Sequence, residues 1–440
     1  MAQTPRPPPA SAVATSPSID SPDMRRAGRD LLSLALIDAR NHTLHLLSLY
    51  EQAIGETMQV HAGPDVVPPL WLAGHIGWFA EWWIGRNTQR AFGNDCPARP
   101  TRLAAIEPGA DDWWRTAPIV PMPPMSQMPP MSPGQHGIAD LPDLAHTKAY
   151  MLETLESTLE LLEKAAETDA GLYFYRLALF HEDLRGEQLV VMAQTLGLPL
   201  GVEHPPIAVM REPLLLPATR WELGLPDSGF AFAQERVAHR VDVPEFEIDA
   251  QPVTWSQFIE FVDDGGYDRQ ELWHAEGWRW LAAQVEGRRG PRHVEQIGVA
   301  RNGSGGSVLQ QRFGATVRAA GHHSAVHLSW WEADAWARWA GRRIATEVEW
   351  EIAAHTAARR GFRWADVYEW TAGTLQPWPG YQADPWSAGT AFDPAKAFGK
   401  ARVLRGASFA TRARLRSPRR RSFALPERDD GFFGFRTCAL

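Results

Sequence analysis

HLSWWEADAWARWAGRRIATEVEWEIAA, residues 327–354, is the stretch on which the fold assignment turns. It carries a helix over about Ser329–Ala340, set in a region of very different texture. From about Pro205 onward the expected strands are short, and Gly and Trp recur at irregular spacing. A further helix fits about Thr254–Asp263, and GRRGPRHVEQIGVARNGSGGS (287–307) reads as an exposed loop. Residues 205–440 therefore form a compact α+β domain with much irregular structure.

Upstream the pattern is helical. Residues 1–22 are rich in Pro, Ser and Ala and are expected to be disordered. Leu31, Leu34, Ile37, Leu44, Leu47 and Tyr50 recur at helical spacing, which predicts one long helix over about Met24–Met58. Further helices are expected over about Pro69–Phe92, Pro142–Thr168 and Leu172–Leu196. Between them IVPMPPMSQMPPMSPGQHGI (119–138) reads as a long Pro/Met-rich loop. Residues 23–200 thus read as a four-helix bundle.

Length and composition narrow the function classes. A chain of 440 residues is long for one core, so two domains are expected. Lys and Arg number 44 against 52 Asp and Glu, a net charge of −8, which argues against a general nucleic-acid binder. No apolar run approaches the roughly 20 residues that span a bilayer, and the first residues lack the apolar core of a secretory signal. Cys96 and Cys438 are the only cysteines, which suits a reducing cytoplasm and excludes a four-cysteine zinc site. A cytoplasmic enzyme acting on small molecules, with no nucleic-acid or membrane partner, is the expectation. The 20 tryptophans are mostly core fillers, yet their faces could also hold a quaternary ammonium ligand.

Five blocks then carry a family resemblance. PVTWSQFIEFVDDGGYDRQELWHAEGWRWL (252–281), the 327–354 stretch, ADVYEWTAG (365–373), VLRGASF (403–409) and GFFGFRTCAL (431–440) resemble a formylglycine-generating-enzyme-type, C-type-lectin-like domain. In the first half, PPLWLAGHIGWFAEWWIGRN (68–87) and FHEDLRGEQL (180–189) resemble the DinB-like bundle of hercynine oxygenases. The arrangement is similar to the sulfoxide synthases of ergothioneine biosynthesis and to the selenoneine synthases. The copper chemistry of formylglycine-generating enzymes needs two cysteines in this domain, and only Cys438 lies there.

The resemblance implies nonheme Fe(II) held by three histidines, with O2 as co-substrate. His75 matches the first ligand and His181 the second, but the third position is Arg185, which has no lone pair to give a metal. It implies a proton donor at Tyr381 in TLQPWPGYQADPWSAG, with Trp378 beside it on the substrate side. In the closing block it points to Phe423 with Ala424, and to Asp429 with Asp430, as donor-binding positions. Their identities favour a selenosugar over a thiol donor, giving C–Se bond formation on hercynine. A C–S-forming hercynine oxygenase and an iron-free betaine-binding relative remain the alternatives. Arg402, Arg405, Arg412, Arg414, Arg416, Arg419, Arg420 and Arg421 read mostly as a solvated, salt-bridged surface.

Overall fold

The computed structural model describes residues 18–60, 65–115, 141–202, 210–225, 228–284, 287–298, 307–390 and 392–440. Helices α1 (Arg29–Ile54), α2 (Pro69–Ala80), α4 (Leu144–Glu163) and α5 (Asp169–Leu196) build the first half, with a short α3 (Ala110–Trp114) beside α2. Their ends follow local chemistry. The Asp143 carboxylate accepts from His146 N at α4, and Thr168 Oγ1 accepts from Gly171 N at α5. Gly197 closes α5 in the left-handed conformation, φ 69°. Helix α1 lies along α5 and α2 along α4. At Gly77 a Cβ would sit 3.1 Å from Thr154 Oγ1, so that second pairing depends on the missing side chain.

Several boundaries differ from expectation: α1 starts at Arg29 and not Met24, and α4 ends at Glu163 and not Thr168. The helix expected over Pro69–Phe92 is α-helical only to Ala80, passes through a π-helical turn at Glu81–Gly85, and is followed by a 3-10 segment, Arg90–Asp95. The buried Glu81 carboxylate explains the break, because it accepts from Tyr150 Oη and Ile106 N and draws the chain inward. Ser18–Ser21, expected within the disordered start, are placed, and the Ile19 carbonyl accepts from Arg414 Nη1. The Pro/Met-rich loop expected at 119–138 lies outside the described residues.

Among its described residues the second half holds four small sheets. The first orders β1 (Leu214–Leu216), β4 (Phe246–Ile248), β13 (Thr437–Cys438) and β8 (Arg343–Ile344). The second orders β11 (Arg421–Ala424), β10 (Arg402–Gly406), β9 (Tyr368–Thr374) and β12 (Phe433–Phe435), with β9 antiparallel to β10 and parallel to β12. A hairpin of β2 (Thr219–Leu223) and β3 (His239–Val243) and a three-stranded meander complete the set. That meander joins β5 (Val294–Gly298), β6 (Ser307–Arg312) and β7 (Ala315–Ala319). It corrects the exposed-loop expectation for 287–307 only at Val294–Gly298, where Ile297 lies opposite the buried Val308 of β6, while 287–293 carry neither helix nor strand. Residues 299–306 of that stretch lie outside the described residues.

Helices α6 (Trp255–Asp263), α7 (Ala275–Ala282), α8 (Trp330–Trp339) and α9 (Glu347–Thr356) flank the sheets. The 327–354 stretch supplies two of them. Ser329 with Glu332 and Thr346 with Glu349 each form a capping box, which is why helices start there.

The arginine-rich block is not a solvated surface. Arg405, Arg414, Arg420 and Arg421 are buried. Arg405 pairs with Glu351, and Arg421 pairs with Glu347 at 2.8 Å. Arg414 crosses to the helical half and grips Asp183 of α5 through Nε at 2.6 Å and Nη2 at 2.8 Å. Charge spacing alone cannot reveal such pairs, because the carboxylates come from distant segments. Glu187 of α5 makes a second bridge, accepting from Tyr368 Oη at 3.0 Å and Ser408 Oγ at 2.8 Å. The two halves therefore meet across α5.

Candidate functional site

The site lies where α2, α5 and the 384–392 segment converge. On α2, Trp71, His75 and Trp78 are four and then three residues apart, so they share one face. The His75 ring stacks between the two indoles, at 4.6 Å from Trp71 and 5.4 Å from Trp78. His75 Nδ1–H donates to the Trp114 carbonyl at 2.8 Å, which leaves Nε2 with the lone pair. Nε2 is buried and unpartnered. Gly74 permits this arrangement, since any Cβ there would fall inside the Trp114 indole.

On α5, His181 lies 5.2 Å from His75 between ring centres and stacks on Phe79 at 3.7 Å. Burial, then the Arg185 charge, pushes His75 down to about 3. Burial, Arg185 and then His75 hold His181 well below the usual imidazole range. Both rings are therefore neutral at physiological pH.

Arg185 is one turn further along α5. Its Nε donates to His181 Nε2 at 3.3 Å and its Nη1 donates to Gln188 Oε1 at 2.7 Å. Burial lowers it to about 10, so it remains a cation at neutral pH.

The second half closes the site with Trp386 and Phe392. Phe392 lies 5.9 Å from His75, 6.1 Å from His181 and 4.5 Å from the Arg185 guanidinium. Trp386 meets Phe79 edge-on at 5.7 Å. Buried Asp384 pins this segment, accepting from Tyr173 Oη at 3.2 Å and Ala233 N at 2.8 Å and pairing with Arg236 at 2.7 Å.

These residues do not fit a three-histidine iron centre. Two imidazoles face the site, the lone pair of His181 Nε2 is taken by Arg185, and the third position is a cation. Among the described residues no group of three or more His, Cys, Asp or Glu could hold a metal ion. Glu182 and Asp183 cannot substitute, because Arg40 holds the first at 2.8 Å and Arg414 holds the second.

The other expected site residues lie elsewhere. The Tyr381 ring packs edge-on against Phe398 at 5.1 Å, and burial with nearby Asp393 and Asp384 pushes its hydroxyl up to about 12. Trp378 packs over the Arg421 guanidinium at 4.4 Å and against His239. Phe423 pairs with Val403 and joins a small cluster with Leu375 and Ala401. Asp429 is held by Arg288 at 2.9 Å and Arg292 at 3.2 Å, and Asp430 by Arg428. The structure thus brings together His75, His181 and Arg185, while the other expected residues make their described contacts away from them. Trp386 and Phe392 are site residues that the sequence reading lacks, although the aromatic-rich segment after YEWT (368–371) carries the signal. The shared face of Trp71, His75 and Trp78 was readable from spacing.

A second polar cluster sits beside Asp429. His293 and His327 both hold left-handed backbone, φ 67° and 64°, and their rings meet edge-on at 4.7 Å. A cavity of about 20 Å³ beside His327, lined also by Phe432, Phe409 and Gln194, has room for one water.

Residues 208–366 match the family described as sulfatase-modifying factor enzyme 1-like domain. Hercynine oxygenase of Mycolicibacterium smegmatis is 28% identical over 93% of this chain and 98% of its own length. Hercynine oxygenase of Mycobacterium tuberculosis is 27% identical over 92% of this chain and 97% of its own. The formylglycine-generating enzyme of Streptomyces coelicolor is 30% identical over 34% of this chain and 52% of that enzyme. With a sulfatase-modifying factor-type segment in its second half, the chain is similar along nearly its whole length to hercynine oxygenases.

Proposed function

We propose that the chain acts on hercynine, the trimethylated betaine of histidine, in an O2-dependent modification of the ergothioneine type. The observation that carries this reading is the similarity to hercynine oxygenases over 93% of the chain, which spans both halves. The helical half is read as DinB-like, and the site at its junction with the second half supports a small aromatic betaine. Neutral His75 offers a lone pair, Arg185 a charge, and Trp71, Trp386 and Phe392 aromatic surface for a trimethylammonium group, while Trp78 is stacked between His75 and Trp82. The residues do not fit a three-histidine iron centre, so His75 and Arg185 act here as ligand-binding groups.

Donor choice is read from the closing block, with a selenosugar ahead of a thiol. Asp429 and Asp430 are engaged by arginines, so any donor contact there involves the arginine–aspartate network and not free carboxylates. The test is a product assay on the purified full chain, with hercynine and O2, supplied in parallel with a selenosugar and with γ-glutamylcysteine. A product whose imidazole carbon bears selenium supports the selenosugar branch, and one bearing sulfur returns the chain to the thiol branch. The Arg185–His181 hydrogen bond favours a second reading, a betaine-binding protein without oxygenase turnover. Hercynine binding with no oxygen uptake, with or without added Fe(II), would establish it.

A further inference from the structure

The guanidinium of Arg185 is a half-buried cation whose contacts are all neutral: His181 Nε2, the Gln188 carbonyl oxygen and the Phe392 ring. The carboxylates of its own helix are committed elsewhere. Glu182 is held by Arg40 and Thr43, Asp183 by Arg414, and Glu187 by Tyr368, Ser408 and Thr411. Among the described residues no ion pair reaches Arg185. A cation drawn out of water without a counter-ion is costly, so such a group is expected to meet an anion in the working state. Around it, the buried His75 Nε2 acceptor and the indole N–H groups of Trp71 and Trp386 also lack partners. Unsatisfied donors and an acceptor around one uncompensated cation describe the outline of a missing polar ligand.

We propose that Arg185 binds the carboxylate of the small ligand directly, with no metal ion between them, while His75 Nε2 accepts an N–H from that ligand. The inference deepens the hercynine reading and rests on it. A guanidinium fork suits a carboxylate, and the neutral imidazole acceptor suits the imidazole N–H of the same molecule. Position 185 thereby becomes a recognition group in place of a metal ligand.

The test is calorimetric titration of the chelator-stripped full chain with hercynine and with its decarboxylated analogue, the trimethylammonium derivative of histamine. The parent protein is expected to bind hercynine at least tenfold more tightly than the analogue. Arg185→Gln should bring hercynine down to the analogue's affinity and leave the analogue unchanged, and Arg185→Lys should restore part of the difference. Equal affinities in the parent, or a Gln variant that weakens both ligands alike, would overturn the inference. Binding of hercynine only after Fe(II) is added would also overturn it while leaving the hercynine reading standing. No hercynine binding in either state would remove that reading, and this inference with it. Thermal melting of the ligand-free protein provides a check independent of ligand. The Gln variant should melt at or above the parent, whereas a fall of more than about 5 °C would show that the protein itself holds the guanidinium.

Discussion

At position 185 a guanidinium stands one turn after His181, on the helix face where a second imidazole would otherwise complete an i, i+4 pair. Arg185→His is expected to free His181 Nε2 and supply a third nitrogen beside His75. Iron retained after desalting, measured by mass spectrometry of the metal, should rise severalfold over the parent, and His181→Ala added to that variant should abolish the gain. Unchanged iron content would mean that the helices hold the imidazoles too far apart. His42 provides a pH test away from the site. Burial and then Arg412 push it from 6.5 down to about 4, so the unfolded chain takes up its proton first. Its stabilising effect is complete above pH 6.5 and is lost as the pH falls toward 4, at about 1 kcal/mol or less per pH unit. Urea midpoints across that range should fall less steeply in His42→Gln than in the parent. At this scale the sequence was readable for His75, His181 and Arg185, because both motifs sit on single helices. It is not readable for Trp378 or Asp429, whose partners Arg421, His239, Arg288 and Arg292 lie far away in the chain, nor for Tyr381 and Asp430, which settle on nearby Phe398 and Arg428.

Helix α2 and the 384–392 segment each hold one side of the site by a single small or buried residue. In Gly74→Ala the added methyl must displace the Trp114 indole, whose backbone carbonyl orients His75. A loss of about 1–3 kcal/mol in chemical denaturation is expected, as for other overpacked cores. Asp384→Ala should leave Arg236, Tyr173 and Ala233 N without their shared acceptor. Hydrogen exchange should then quicken in the 384–393 stretch and not in α5, whereas uniform quickening would mean that Asp384 supports the whole fold. Helices with polar caps and apolar stripes, such as α4, α5, α6 and α8, were legible within a few residues. Helix α2 was overrun because the π turn follows from Glu81 meeting Tyr150 and Ile106, a tertiary event. Strand β5 has the polar, Gly-flanked sequence of a loop and gains order only by pairing with β6.

Across the whole molecule, buried charge joins the two halves. Arg414 is buried against Asp183, and removing one partner of such a pair typically costs about 3–5 kcal/mol. Arg414→Met should therefore lower the unfolding free energy by about that amount and split a single melting transition into two, as seen by calorimetry. One undivided transition in the variant would show that the halves are joined mainly by apolar packing. The same junction sets a limit on how this chain can vary in length. Helix α5 presents Tyr173, His181, Asp183, Arg185, Glu187 and Gln194 to different neighbours at fixed angular positions. One inserted residue turns everything beyond it by about 100°. Such an insertion between Tyr173 and His181 would misdirect the site and the Asp183 and Glu187 bridges together. Gains and losses of residues are therefore expected to be tolerated only in connections outside Asp169–Leu196, and a one-residue insertion after Ala178 should abolish folding or ligand binding where one in an exposed loop does not.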